Sequence, residues 1–289
     1  MRFFDEKLRW YKGNLHTHTS VSDGKLGLEE CMEQYRNAGY DFLAITDHRT
    51  VFEGLEGENF LVIRAAEYDI NDLNTRRAYH VTAIGIDEEI HMYDCNTPQE
   101  MMNAIIDRNG LAIVAHPAWS LLTHEDLLKL ENYHGIEIWN NVSETHSCRG
   151  DSTNYADVLA SKGRPTLMFA VDDTHFYTTD LFGGYIMVNS ESLDRDSIIK
   201  NIKAGRFYCS QAPEITQIEL ENNRIKVVTS PVSTISFISD TFFCGNRICR
   251  ENDRLLTEAV YEINTYDRYV RIECTDENGK KAWSQFISV

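Results

Sequence analysis

Gly13–Gly24 reads GNLHTHTSVSDG. Two histidines, His16 and His18, flank a threonine, and Asp23 follows in a Ser-Asp-Gly turn. Side chains two apart on an extended segment share a face. His16 and His18 therefore present two imidazoles to one point, and Thr17 turns the other way. VDDTH at 171–175 repeats the geometry with Asp173 and His175, and Thr174 opposes them. Each pair is built to grip one ion or two adjacent ions.

The chain around these pairs alternates short apolar runs with amphipathic segments. YDFLAI, FLVIRAA, HVTAIGI, LAIVA, GIEIW, TLMFAV and GGYIMV read as strands. LGLEECMEQYRNAG, PQEMMNAIIDRNG, HEDLLKL, NYADVLASKG and LDRDSIIKNIKAG read as helices, several of them ending in Gly. TPQE supplies an N-cap, a Pro at the first helical position and a Glu at the third. Strand followed by helix, repeated, predicts an α/β domain with a largely parallel sheet. From Ala212 the pattern changes to short strands with turns at ENN and DENGK. This predicts a first domain over 1–211 and a small β-sandwich-like domain over 212–289.

Potential ligands collect where the apolar runs end. LAITDH ends in His48, LVIRAAE in Glu67, LAIVAHP reaches His116, and TLMFAVDDTH reaches Asp173 and His175. In a barrel of parallel strands these ends face one opening, where function gathers. His80, ahead of VTAIGI, reads by itself as a satisfied core histidine or as a ligand. His146 lies in the loop predicted after GIEIWN, where it overhangs the same opening.

Composition narrows the partners. The 289 residues hold 45 acids and 28 bases, a net charge of −17. Such a surface repels a phosphate backbone, so broad binding to duplex nucleic acid is not expected. The seven cysteines are irregularly spaced, Cys244 and Cys249 form no CxxC pair, and all read as reduced core residues. MRFFDEKLRWYKGN has no apolar stretch of a signal peptide, and no apolar run approaches the roughly 18 residues of a membrane span. The expectation is a cytoplasmic protein with no membrane partner.

The succession HTHTSVSDG, AITDH, AAEY, HVTAIG, VAHP and VDDTH resembles the PHP family, named for polymerases and histidinol phosphatases. The resemblance runs from Asn14 to about Ser210. It implies a distorted barrel of seven β/α units, a (β/α)7 barrel, and a centre of three divalent ions. By resemblance, His16, His18, Glu67 and Asp173 bind one ion. Glu67, His80 and His116 bind a second, and Asp23, His48 and His175 a third. The family spacing Asp-x-His selects Asp173 over Asp172. Asp47 is expected to orient a histidine from behind. Six histidines and three carboxylates without a thiolate suit Zn²⁺, Mn²⁺ or Fe²⁺.

Three divalent ions, less three carboxylates and a bridging hydroxide, leave about +2 in the site. That excess attracts a phosphate into an otherwise acidic protein. The implied reaction is hydrolysis of a small phosphate ester, a sugar phosphate or nucleotide, by hydroxide bridging two ions, with no protein nucleophile. Arg49 and Arg149 are candidate phosphate forks, with His146 a candidate substrate contact. The amidohydrolase reading, cleavage of a carbon–nitrogen or carboxyl ester bond at the same centre, lacks the metal-bridging lysine common in such enzymes. A non-catalytic sensor that binds a ligand at its metals is the third reading.

Overall fold

The computed structural model describes residues 1–57, 59–242 and 245–289. Cys244 lies outside them, as does part of the strand expected at TFFCGN. Strands β1 (Arg9–Asn14), β2 (Phe42–Ala44), β3 (Leu55–Glu56), β4 (Leu61–Ile63), β5 (Ala65–Asp72), β6 (Arg77–Ile84), β7 (Leu111–Val114), β8 (Gly135–Asn140), β9 (Leu167–Val171), β10 (Tyr185–Ser190) and β11 (Phe207–Ser210) cover the seven predicted runs. Helices α1 (Leu28–Asn37), α2 (Pro98–Ile106), α3 (His124–Lys129), α4 (Asn141–Ser147), α5 (Thr153–Ser161) and α6 (Arg195–Lys203) lie among them.

Local chemistry sets the helix boundaries. Thr97 Oγ1 accepts from the Glu100 amide, and the Glu100 carboxylate accepts from the Thr97 amide. This capping box satisfies amides that the first turn of α2 leaves unpaired. The helix then buries Met101, Met102 and Ile105. The segment after GIEIWN, expected as a loop, forms α4 instead. Asn140 Oδ1 accepts from the Ser143 amide, and Cys148 ends the helix in the left-handed region at φ 54°.

The strands do not form the expected closed, largely parallel barrel. β1–β2, β2–β4, β7–β8 and β8–β9 are parallel, whereas β5–β6, β6–β7 and β1–β10 are antiparallel. The reason is connection length: only residues 73–76 separate β5 from β6, which allows a hairpin and no crossover helix. The chain also changes sheet at Arg64, because β4 pairs with β2 while β5 pairs with β6. The result is a five-stranded sheet, β5-β6-β7-β8-β9, facing part of an eleven-stranded one. Isolated bridges past the ends of β1 and β2, Thr17 to Thr174 and His48 to Glu67, join the larger sheet to the two edge strands of the smaller one. The ligand-bearing segments thus form the seam.

Beyond these lie β12 (Ile215–Glu221), β13 (Arg224–Val232), β14 (Thr234–Ser239), β15 (Ile248–Cys249), β16 (Leu256–Glu262), β17 (Tyr269–Thr275), β18 (Lys281–Ser284) and β19 (Ile287–Ser288). β12-β13-β16 is a separate sheet, while β18 pairs with β11 and continues the eleven-stranded sheet. A second core, including Ile218, Val227, Phe237, Tyr261 and Ile272, fills the space between these sheets. Trp283 instead joins the first core and stacks on Trp139, ring centroids 6.3 Å apart. Cys31, Cys95, Cys209 and Cys274 are buried as expected, whereas Cys148 is exposed. Among the described residues no helix is long and apolar enough to cross a membrane.

One charged tie crosses between the C-terminal strands and α5. Arg271, 2% exposed, donates to both carboxylate oxygens of Asp157, at 2.6 and 2.8 Å, and to Glu273 at 3.1 Å. Removing one partner of a buried ion pair leaves the others uncompensated. Arg271→Ala should lower the unfolding free energy by about 3 kcal/mol. Denaturant titration measures this, and a loss under about 1 kcal/mol would mean the tie is dispensable.

Candidate metal centre

The seam brings all nine predicted ligands together. His16, His18, Asp23, His48, Glu67, His80, His116, Asp173 and His175 each enter at least one cluster whose donor atoms lie within 4.8 Å of one another. The clusters are His16–His18–Asp173, His16–Glu67–His116, His48–Glu67–His80 and His18–Asp23–His48–His175.

Backbone bonds fix these segments. The Asp173 amide donates to the His16 carbonyl and the His18 amide to the Thr174 carbonyl, so the two x-separated pairs lie side by side. Thr17 and Thr174 turn away as expected: Thr17 Oγ1 accepts from Asn14, and Thr174 Oγ1 bonds the Tyr35 hydroxyl. On the other side, the Arg49 amide donates to the Glu67 carbonyl. His80 enters differently from the rest. It lies within antiparallel β6, opposite Asp69, and not where a parallel strand ends. His116 and Asp173 sit at φ 30° and 55°, in the left-handed region that side chains with a Cβ rarely adopt.

Glu67 is the hub. Its Oε2 lies 3.4 Å from His16 Nε2, 3.3 Å from His18 Nε2 and 3.1 Å from His48 Nδ1. Its Oε1 lies 2.9 Å from His80 Nδ1 and 3.4 Å from His116 Nε2. Asp173 Oδ1 stands 3.1 Å from His16 Nε2 and 3.2 Å from His18 Nε2, which are themselves 3.1 Å apart. These separations resemble the edges of a ligand tetrahedron, about 3.4 Å for N and O donors at about 2.1 Å from a centre. His48 Nδ1 and Asp173 Oδ1 are buried and make no hydrogen bond despite their close neighbours. Their lone pairs converge on the cluster interior, and the N/O donor set fits a divalent transition metal.

The third carboxylate closes the outer end. Asp23 lies 3.4 Å from His175 Nε2, 3.4 Å from His18 Nδ1 and 3.6 Å from His48 Nε2. Burial works against charge at His16, His48, His80, His175, Glu67 and Asp173, yet the opposite charges prevail. Burial alone would lower the His175 pKa, but the Asp23 hydrogen bond and the Asp173 charge push it up to about 9. His16, His48 and His80 are raised in the same way, against burial, by neighbouring carboxylates. Glu67 and Asp173 are held below the usual carboxylate range, again against burial, by the surrounding imidazoles.

Several supporting residues had escaped the sequence reading. Glu137 is buried on β8; its Oε1 lies 2.7 Å from His16 Nδ1, and its Oε2 accepts from the His116 amide at 2.8 Å. Asn140 Nδ2 donates to Glu137 at 2.9 Å and to Asp173 at 3.0 Å while its Oδ1 caps α4. The available signal was an acid at the centre of the apolar run GIEIW. Asp47 differs from its expected role. It bonds no histidine directly and accepts instead from the Thr19 amide and hydroxyl and from Ser22, whose hydroxyl lies 3.4 Å from His18 Nδ1, bracing the turn that carries Asp23. Asp172, the neighbour set aside, is buried and accepts from the Tyr35 hydroxyl and the amides of Phe182, Gly183 and Gly184; burial pushes its carboxyl up to about 7.

The cluster opens into a cavity of about 300 Å³, lined also by Trp119, Val142, Ser143, His146 and Phe176. His146 reaches this rim as expected, on α4 and stacked on Phe176. The two arginines do not line it. Arg49 forks onto Asp69 with two 2.8 Å bonds, and Arg149 is exposed beyond the end of α4.

No protein-family model and no curated protein matches the sequence. The structure, however, resembles the crystal structure of a two-domain protein containing a predicted PHP-like metal-dependent phosphoesterase from Bacteroides vulgatus. The TM-score is 0.57 at 12% identity, over 98% of this chain and 96% of that one. The chain has a PHP-like fold. An amidohydrolase from Chromobacterium violaceum, crystallised with sulfate and no metal, aligns over 68% of this chain and 96% of its own at 15% identity. Its TM-score is 0.46. The first likeness covers the ligand-bearing sheets and the C-terminal strands together.

The pKa directions predict opposite pH responses with and without metal. In chelator-treated protein, the raised histidines contribute stability below about pH 6.5 that is lost as pH rises through their folded values. For His175 that window closes at about 9. The melting temperature of the chelated protein should therefore fall from pH 6.5 to 9. Manganese should raise it more at pH 8.5 than at pH 6, because the ion displaces protons from its ligands. A stabilisation independent of pH would contradict the arrangement.

Proposed function

We propose that the chain is a metal-dependent hydrolase that cleaves a phosphate ester. The observation that carries this reading is Glu67, one buried carboxylate with five imidazole nitrogens within 3.4 Å of its two oxygens. A bridging carboxylate between imidazole sets is how a protein holds divalent ions side by side. His16, His18, Glu67 and Asp173 would hold one ion, Glu67, His80 and His116 a second, and Asp23, His48 and His175 a third. Zn²⁺, Mn²⁺ or Fe²⁺ bound there would acidify water and offset the charge of a phosphoryl group.

The chain's own contribution is to aim the donors. Glu137 Oε1 accepts a hydrogen bond from His16 Nδ1–H, which leaves the Nε2 lone pair facing Glu67 and Asp173. Ser120 pairs with His116 Nδ1 at 2.9 Å, and the Asp173 carbonyl accepts from His175 Nδ1 at 2.8 Å, so both rings also present Nε2. We assign the chemistry to residues 1–211 and a supporting role to 212–289. That division draws on Trp283 behind Trp139 and on the Arg271–Asp157 tie.

Metal analysis of the purified protein, paired with phosphate release from sugar phosphates, nucleotides and bisphosphates in manganese, tests the proposal. The expected result is about three ions per chain and release from at least one ester. Metal-bound protein that cleaves only amides, or binds without turnover, would overturn it. Glu67→Ala should abolish turnover and retain the fold, read by circular dichroism. Glu137→Gln, which keeps the side-chain volume, should weaken metal affinity by about 10- to 100-fold. Unaltered affinity would remove Glu137 from the positioning role.

A further inference from the structure

The mouth of the cavity differs in chemistry from its floor. Besides seven of the nine clustered groups, its lining is Trp119, Val142, Ser143, His146 and Phe176. Trp119 stands edge-on to His116, with ring centroids 4.8 Å apart, and to His80 at 5.9 Å. It therefore borders the Glu67 side of the cluster. Phe176 follows His175 and stacks on His146 at 4.3 Å with the rings 21° apart, so this pair borders the Asp23 side. Trp119 is 40% exposed and Phe176 39%. Two large apolar rings thus remain in water on opposite flanks of a polar pit.

Charge at the mouth is equally telling. None of the residues lining the cavity is Arg or Lys. Arg49, the basic side chain next to His48, is committed to Asp69. Lys25 lies with its ammonium 5.2 Å from the Phe176 ring centroid and is not part of the lining. A second phosphate or a carboxylate at the far end of a substrate would lose its water without gaining a cation from the wall. The about 300 Å³ of space is at the lower end for ligand pockets and admits one ring with one phosphoryl group.

We propose that Trp119 on one flank and the His146–Phe176 pair on the other form an aromatic clamp that selects a phosphomonoester with a flat, uncharged alcohol portion. This rests on the phosphoesterase reading for the reaction, but the clamp has its own test. Burying the exposed area of Trp119 and Phe176 against a planar group removes apolar surface that the free protein leaves wet. The phosphoryl group then faces the cluster, and the clamp fixes the position of the leaving alcohol. Trp119, His146 and Phe176 act here as specificity determinants.

Calorimetry on the manganese-loaded full chain tests the clamp with phosphonates, which have no ester to cleave. Benzylphosphonate should bind at least about tenfold more tightly than methylphosphonate, the discrimination expected of an apolar pocket. Trp119→Leu and Phe176→Leu, each checked for wild-type metal content, should reduce that ratio by weakening benzylphosphonate. Equal binding of the two phosphonates by the wild type would overturn the clamp, as would a ratio unmoved in both variants. Phosphate release from benzyl phosphate reads the reaction separately. Its absence across all esters would sink the hydrolase reading, whereas equal phosphonate binding would sink the clamp whatever the esters show.

Discussion

A carboxylate buried among imidazoles sets the terms for the rest of this molecule. Glu67 is 1% exposed and has given up its hydration. Taking an isolated charge out of water is costly, and opposite charges or a cation must offset it. Six histidines and two further carboxylates supply that environment from positions spread between 16 and 175. The chain must bring distant strand ends to one place and hold them there. Divalent ions are the natural balance for so many inward lone pairs, and protons take that place only in part.

The architecture meets this demand at a seam. Neither sheet alone contains the cluster: His16 and His18 leave β1 of the larger sheet, while Asp173 leaves β9 of the smaller one. The bridges Thr17–Thr174 and His48–Glu67 lock these ends together by backbone hydrogen bonds. Behind them, Asn14, Asp47, Asp172 and Asp180 bind loop amides with buried or nearly buried side chains. Asn140 then links the Glu137 and Asp173 carboxylates to the start of α4, whose other residues reach the cavity mouth. The helix that presents His146 is therefore tied to the same groups that aim the ligands.

The contrast between net charge and local chemistry follows from this layout. A chain of net charge −17 repels anions at long range. Its cavity offers no lysine or arginine to reverse that. Attraction for an anionic group must come from cations held on the floor, while the walls contribute apolar surface. In the proposed reaction, that division separates binding strength at the phosphoryl group from selectivity at the alcohol.

The residues themselves declared the His16–His18 and Asp173–His175 pairs, because side chains two apart on an extended segment share a face whatever surrounds them, while the assignment of the remaining candidate ligands came from the family resemblance. They also declared the seven apolar strands, five of the helices with the cap at Thr97, and the change to short strands after Ala212, since periodicity and capping are local properties. They did not declare that β5, β6 and β7 would be antiparallel, although the four residues between β5 and β6 held that information. Nor did they show that Glu137 would stand behind His16, that Asp47 would brace a turn, or that Arg49 would be spent on Asp69. Those outcomes depend on which distant groups meet. Tertiary structure alone decides this, because a side chain's partner is fixed by sheet register and packing and not by its neighbours in the chain.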